Sequence, residues 1–124
     1  MDTPTDRMYT ESHEWIKVDG EIITIGLTEH AVDQLTDVTF VEMKPAGTSV
    51  DAGDSVGEVE SVKTTSDVYS PVTGEIYAIN ENLGDAPETL NTEPYTEGWL
   101  VKVKATDTSG LEGLMDSDAY EATL

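Results

Sequence analysis

A chain of 124 residues with 37% hydrophobic content is long enough for one domain with a real core, and it has no cysteine. Disulfides, cysteine-held metals and thiol nucleophiles are therefore excluded. The 26 acidic residues outnumber the 6 basic ones, and the net charge of −20 repels nucleic acid and anionic membranes alike.

The chain opens with "MDTPTDRMYTESHEW", which lacks a basic start followed by an apolar run and is too acidic for a transit peptide. A cytoplasmic location is expected, with residues 1–8 as a flexible tail. No apolar stretch is long enough for a transmembrane helix. From there the dominant period is two. "EIITIGL" (21–27) sets Ile23, Ile25 and Leu27 on one face. "TEHAVDQL" (28–35) predicts a helix capped by Thr28, with Ala31, Val32 and Leu35 on its apolar side. Strands are then predicted over 38–43, 55–62, 65–70 and 74–80, punctuated by "DG", "PAG", "AGD", "SPVTG" and "LGD". "WLVKVKA" (99–105) places Trp99, Val101 and Val103 opposite Lys102 and Lys104. The tail predicts a helix opened by Ser109 and Glu112 in capping-box spacing, then a short turn from Ser117 carrying Tyr120 and Leu124. Many short strands with such turns predict a β-sandwich or barrel with peripheral helices. "VDAGD" (50–54) and "ENLGD" (81–85), 31 residues apart, add a weak internal repeat and suggest a quasi-twofold core.

One cation stands out. Lys63, in "EVESVKTTSDVYSP" (58–71), has Val62 and Thr64 beside it and no adjacent acid. A hairpin tip there would protrude from a rigid base, and lysine adds a flexible stem ending in an acylatable amine. Small uncharged neighbours, Ser61, Thr64 and Thr65, would keep the tip accessible. An ordinary solvated lysine is the bland alternative.

Residues 53–80, "GDSVGEVESVKTTSDVYSPVTGEIYAIN", strongly resemble the lipoyl-attachment region of the glycine cleavage system H-protein family. "SHEW" near the start, "EGWL" late and the closing "LMDSDAYEATL" (114–124) are similar to that family in the same order. The resemblance covers nearly everything from Tyr9 onward. Biotin carriers, with methionines flanking the lysine, and the lipoyl domains of 2-oxoacid dehydrogenases fit less well. Thr36 and Thr96 stand where the family often has glycine, and Thr64 and Thr65 where it often has alanine. Threonine avoids positive φ, so the first two turns are expected to be locally reshaped.

The resemblance implies a flattened β-sandwich, a barrel-sandwich hybrid of the lipoyl-domain type, as a single carrier domain over 1–124. It implies lipoate in amide linkage on Lys63, with Glu60, Ser61 and Val62 completing the attachment motif. The implied role is non-catalytic. The carrier takes an aminomethyl group from glycine decarboxylase (P-protein) to the aminomethyltransferase (T-protein) and is reoxidised by dihydrolipoyl dehydrogenase (L-protein). A lipoate-attaching enzyme is a further implied partner, and a monomer is expected. A loaded arm carries a cationic nitrogen and needs shelter from water, so a carboxylate-bearing cleft near the hairpin is expected. Ser12, Glu14 and Asp67 are its candidates.

Two other readings stay open: a donor of lipoyl groups to other acceptors, and an unmodified binding module of the same fold. His13 and His30 are far apart in sequence and make no metal site. Trp15 and Trp99 are expected at the core or its edge. The acids are spread along the whole chain, which favours salt adaptation over a docking patch as the source of the acidity.

Overall fold

The computed structural model describes residues 3–124. Nine strands form two antiparallel sheets. The larger, with order β1-β2-β3-β9-β8-β5, takes β1 (Met8–Tyr9), β2 (Glu14–Asp19), β3 (Ile22–Leu27), β5 (Ser49–Val50), β8 (Thr73–Ile79) and β9 (Val101–Asp107). The smaller, β4-β6-β7, takes β4 (Val38–Met43), β6 (Ser55–Ser61) and β7 (Thr65–Tyr69). The fold is mainly β, a sandwich of two antiparallel sheets with short peripheral helices, as expected.

Alternation builds the core. Ile23, Ile25, Val101, Val103 and Ile76 turn inward from the larger sheet and meet Val56, Val59 and Val68 from the smaller one. Burying each such side chain contributes roughly 1.5–3 kcal/mol. Their neighbours Thr24, Lys102, Lys104 and Glu75 point outward, in register along the ladders.

Helix α1 (Glu29–Leu35) is capped as expected, Thr28 Oγ1 accepting from Ala31 N at 3.2 Å, and it buries Val32 and Leu35. Its end departs from expectation. Thr36 keeps a glycine-like φ of 64°, held by hydrogen bonds from its N–H to Val32 O and Asp33 O. Asn91 Nδ2 also donates to Thr36 O at 2.6 Å. Tertiary hydrogen bonds thus override the β-branched preference there. Thr96 is not at positive φ, so only the second turn is rebuilt without it.

Three further expectations change. Trp99 does not join Val101 on the inner face. Asn80 Nδ2 binds the carbonyls of Glu97 and Trp99, each at 2.8 Å, so β9 starts at Val101 and Leu100 takes the buried place. The Ser109–Glu112 box does not form. Residues Ser109–Gly113 make a 3₁₀ turn, and Asp107 Oδ1 accepts from Ser109 N instead. The Gly-Asp repeat is not repeated in conformation: Gly53 turns at φ 93°, whereas Gly84 lies inside helix α2 (Asn82–Asp85). A second short helix, α3 (Thr89–Thr92), follows it and was not foreseen.

The closing helix α4 (Ser117–Glu121) is capped by Asp116, whose Oδ1 accepts from Ala119 N at 2.8 Å. Residues 3–8, expected as part of a flexible tail, make specific contacts. Ser117 Oγ donates to Thr3 O at 2.8 Å, and Tyr9 Oη donates to Pro4 O at 2.5 Å. Arg7 lies over the Trp15 ring, 4.6 Å from its centroid. The rest of that expected tail, residues 1–2, lies outside the described residues. Among the described residues, no helix is long and apolar enough to cross a membrane.

Candidate attachment hairpin and cleft

Strands β6 and β7 pair from Ser55↔Tyr69 up to Glu60↔Thr65 and leave a tight turn at residues 61–64. Ser61 builds that turn. Its N–H donates to Thr64 O at 2.8 Å. Its hydroxyl, on a residue only 8% exposed, accepts from the N–H of Lys63 (3.2 Å) and of Thr64 (3.1 Å). One buried hydroxyl therefore organises the backbone on both sides of the lysine. Val62 N donates to Asp37 O at 3.1 Å, which braces the tip against the chain entering β4.

Lys63 itself is exposed, and among the described residues its ammonium makes no ion pair. Beside it Val62 is 66% exposed, and Phe40, opposite Glu60 in the ladder, is 48% exposed. Glu60 points outward, as alternation requires.

Strand β7 runs from this tip to Tyr69, about 13 Å at the usual rise per residue. Tyr69 borders a cleft of about 690 Å³. One wall is the turn between β1 and β2, and another is the C-terminal segment through Leu114 and Met115. Glu14 lies at its base. Alternation along β2 sends Trp15 across Gly26, where a Cβ would lie 2.4 Å from the indole, and Glu14 to the other face. The Glu14 carboxylate is 1% exposed and has three donors: Thr10 Oγ1 (2.5 Å), Ser12 Oγ (2.6 Å) and Tyr69 N (3.3 Å). None is a cation.

The hydroxyls reach Glu14 because the turn folds back on itself. Thr10 N donates to Glu14 O, His13 N donates to Thr10 O, and His13 takes φ 69°, which histidine tolerates better than most residues. The structure thus brings Ser12 and Glu14 together in the cleft. Asp67 stands apart. It is exposed, one pleat beyond Tyr69 on the same face of β7, and it touches the site only as acceptor from Tyr69 Oη at 3.4 Å.

His13 and His30, separate in sequence, meet with ring centroids 4.7 Å apart. His13 Nδ1 also lies 2.8 Å from Tyr120 Oη, which lies 2.7 Å from Thr28 Oγ1. Burial, with a contribution from His30, holds the His13 imidazole below its ordinary value, and burial raises the Tyr120 phenol. This chain of side chains ties α4 and α1 to the turn that carries Glu14. Thr10, Tyr69 and the His13–Tyr120–Thr28 chain were not read from the sequence. The i, i+2 spacing of Asp67 and Tyr69 in a strand is the signal that could have identified Tyr69.

An exposed lysine on a rigid tip, with a sheltered carboxylate in the cleft at the other end of the same hairpin, in a lipoyl-type sandwich, defines a carrier rather than a catalyst. The comparisons with known proteins specify which. The model of the family described as "Glycine cleavage H-protein" matches residues 7–124. The glycine cleavage system H protein of Listeria monocytogenes (serotype 4a) is 48% identical over 124 residues, covering 100% of this chain and 99% of its own. That of Teredinibacter turnerae is 56% identical over 113 residues, covering 90% and 87%. The crystal structure of a glycine cleavage system H protein from Mycobacterium marinum superposes with a TM-score of 0.88 at 39% identity, covering 97% of each chain. The chain belongs to the glycine cleavage H-protein family.

Proposed function

We propose that residues 1–124 act as a single, monomeric, cytoplasmic carrier domain bearing lipoate in amide linkage on Lys63. The carrier takes the aminomethyl group of glycine from the decarboxylase (P-protein) to the aminomethyltransferase (T-protein) and is reoxidised by dihydrolipoyl dehydrogenase (L-protein). The carrying observation is the Lys63 tip, an exposed lysine on a turn whose backbone is held from below by Ser61. The residues present fit the group: the amine is open to an attaching enzyme, and its apolar neighbours Val62 and Phe40 offer that enzyme a foothold. When bound, lipoate supplies the dithiol–disulfide couple that a chain without cysteine lacks.

The chain's own residues do the rest. Lys63 contributes the stem and the acylated nitrogen, so attachment removes its charge. Ser61 fixes the direction in which the stem leaves the hairpin. Glu14 presents an anion to a cationic nitrogen in the cleft, where a hydrogen bond to a charged group contributes roughly 1.5–3 kcal/mol. Thr10 and Ser12 hold the carboxylate oriented, and the cleft walls limit water. Asp67 sits at the outer rim. Tethering makes each delivery effectively intramolecular within a docked complex. The acidity is ascribed to life in concentrated salt, where surface charges are screened within a few ångströms.

Lys63→Arg tests the reading in a reconstituted glycine cleavage system. Arginine keeps charge and approximate length but cannot take the acyl group. Glycine cleavage is expected to vanish while the melting temperature is unchanged. Activity retained by the variant would overturn the assignment.

A further inference from the structure

The closing helix reaches the cleft turn through one side chain. Tyr120 is 0% exposed, and its ring stacks on Tyr9 with centroids 4.8 Å apart and planes 11° from parallel. Its phenolic oxygen lies 2.8 Å from His13 Nδ1 and 2.7 Å from Thr28 Oγ1. The hydroxyl thus joins α4, the turn between β1 and β2, and the N-cap of α1. None of the roles assigned to Glu14, Thr10 and Ser12 uses it.

Hydrogen counting sets the direction of these two bonds. A hydroxyl has one hydrogen to donate and must place it on an acceptor where water cannot reach. Thr28 is 0% exposed, and its oxygen already accepts from Ala31 N at 3.2 Å. Among the described residues, Tyr120 Oη is the acceptor within reach of its hydrogen. Thr28 therefore donates to Tyr120, and Tyr120 donates onward to His13 Nδ1. An imidazole that accepts at Nδ1 is neutral and carries its proton at Nε2. The reverse direction would leave the Thr28 hydrogen buried without an acceptor, at the cost of its desolvation. The surroundings agree. Burial, and then the Glu14 carboxylate, raise the phenol against the opposing Thr28 bond, so it stays a donor. Burial, and then His30, lower the His13 imidazole, so it stays an acceptor.

The relay ends on the residue before Glu14. His13 holds φ 69°, a left-handed conformation that a non-glycine residue keeps only where its surroundings over-determine it. Its backbone is pinned by His13 N to Thr10 O (3.2 Å) and by Thr28 N to His13 O (3.1 Å), and its ring is pinned by Tyr120. That conformation decides where Ser12 and Glu14 point. With it, Ser12 Oγ (2.6 Å) and Thr10 Oγ1 (2.5 Å) both reach Glu14 Oε1, while Oε2 turns to Tyr69 N at 3.3 Å.

We propose that Tyr120 is a positioning residue for Glu14: its hydroxyl relays a one-way hydrogen-bond chain, Thr28 Oγ1 to Tyr120 Oη to His13 Nδ1, which locks His13 in the Nε2–H tautomer and holds the turn that aims Glu14 into the cleft. The closing helix thereby helps to retain the aminomethyl cargo without touching it. This role rests on the carrier function proposed above, since Glu14 meets a loaded arm only if Lys63 bears one.

The test uses Tyr120→Phe, which removes the hydroxyl and keeps the ring that stacks on Tyr9. Long-range ¹⁵N–¹H spectra of the unmodified full chain, recorded above about pH 7.5 where histidine is neutral, report the tautomer of each imidazole. His13 is expected as Nε2–H in the parent, a reading that needs no variant. In Tyr120→Phe it is expected as a tautomer mixture, with shifted amides at Ser12, His13 and Glu14. The second arm is the lipoylated, aminomethyl-loaded chain without T-protein, where hydrolysis gives formaldehyde, ammonia and the free dithiol. Tyr120→Phe is expected to release formaldehyde roughly fivefold faster, the weight of one net hydrogen bond. Ile76→Val, a core change of similar destabilising size, is expected to hold the cargo as long as the parent. An Nδ1–H tautomer in the parent, an unchanged tautomer or unmoved Glu14 amide in Tyr120→Phe, or equal release by Tyr120→Phe and Ile76→Val would overturn the proposal. Failure of the carrier function reads differently: Lys63 takes no lipoyl group, or Glu14→Gln holds its cargo as long as the parent, while the unmodified chain's spectra still decide the relay.

Discussion

Replacing Ser61 with alanine removes one buried hydroxyl and three hydrogen bonds, from the N–H groups of Lys63 and Thr64 and to Thr64 O. The backbone bond from Ser61 N to Thr64 O survives, so the hairpin should still close. Each lost bond is worth roughly 0.5–1.5 kcal/mol net, toward the lower end here because water can reach an exposed tip. The sum is about 1–2 kcal/mol. A factor of ten corresponds to about 1.4 kcal/mol, so hydrogen exchange at Lys63 and Thr64 should accelerate roughly tenfold if it proceeds by local opening. Hydrogen exchange of the unmodified chain at fixed pH and salt reads this directly, with Ser66→Ala as a control on the same hairpin. Lipoylation of Ser61→Ala should also slow while reaching the same final extent. Unchanged protection at both amides would refute the view that Ser61 organises the tip.

Glu14→Gln should shorten the life of the loaded arm roughly tenfold or more, read as formaldehyde released without T-protein. Asp67→Asn, outside the cleft, should match the Glu60→Gln control. The His13 imidazole sits below its ordinary 6.5 when folded, so between that folded value and 6.5 the unfolded chain binds the extra proton. Stability should therefore fall as pH drops through this window and level off beneath it. His13→Asn tolerates the positive φ and should flatten the slope in urea titrations below about pH 6.5, beyond any uniform offset. Self-repulsion at −20 should make the melting temperature rise with added salt, and a flat salt series would count against salt adaptation.

Period-two patterning made most strands legible, because each pairs one apolar face with one polar face and a slip would bury charge. The expected bounds of β4 match those found, and Thr28 caps α1 as read. Errors arose mainly where side chains far apart in sequence decide the backbone: Asn80 holds back the start of β9, and Asn91 helps hold Thr36 at φ 64°. A local competitor decides the third case, where Asp107 accepts from Ser109 N and displaces the expected cap. The cleft was half legible. Ser12 and Glu14 share one turn and so stay together, whereas Asp67 depended on the pleat of a strand whose outward face could not be ranked by sequence. Tyr69 contributes through its backbone N–H, and only its i, i+2 spacing from Asp67 on the same strand face could have pointed to it. The contact of His13 with His30 and Tyr120 joins three elements and has no local signature.

The most direct measurement is the intact mass of the chain purified from cells that make lipoate, followed by peptide mapping. A single lipoyl increment on Lys63 is expected, absent in Lys63→Arg. An unmodified chain, or an increment on Lys17, Lys44, Lys102 or Lys104, would contradict it.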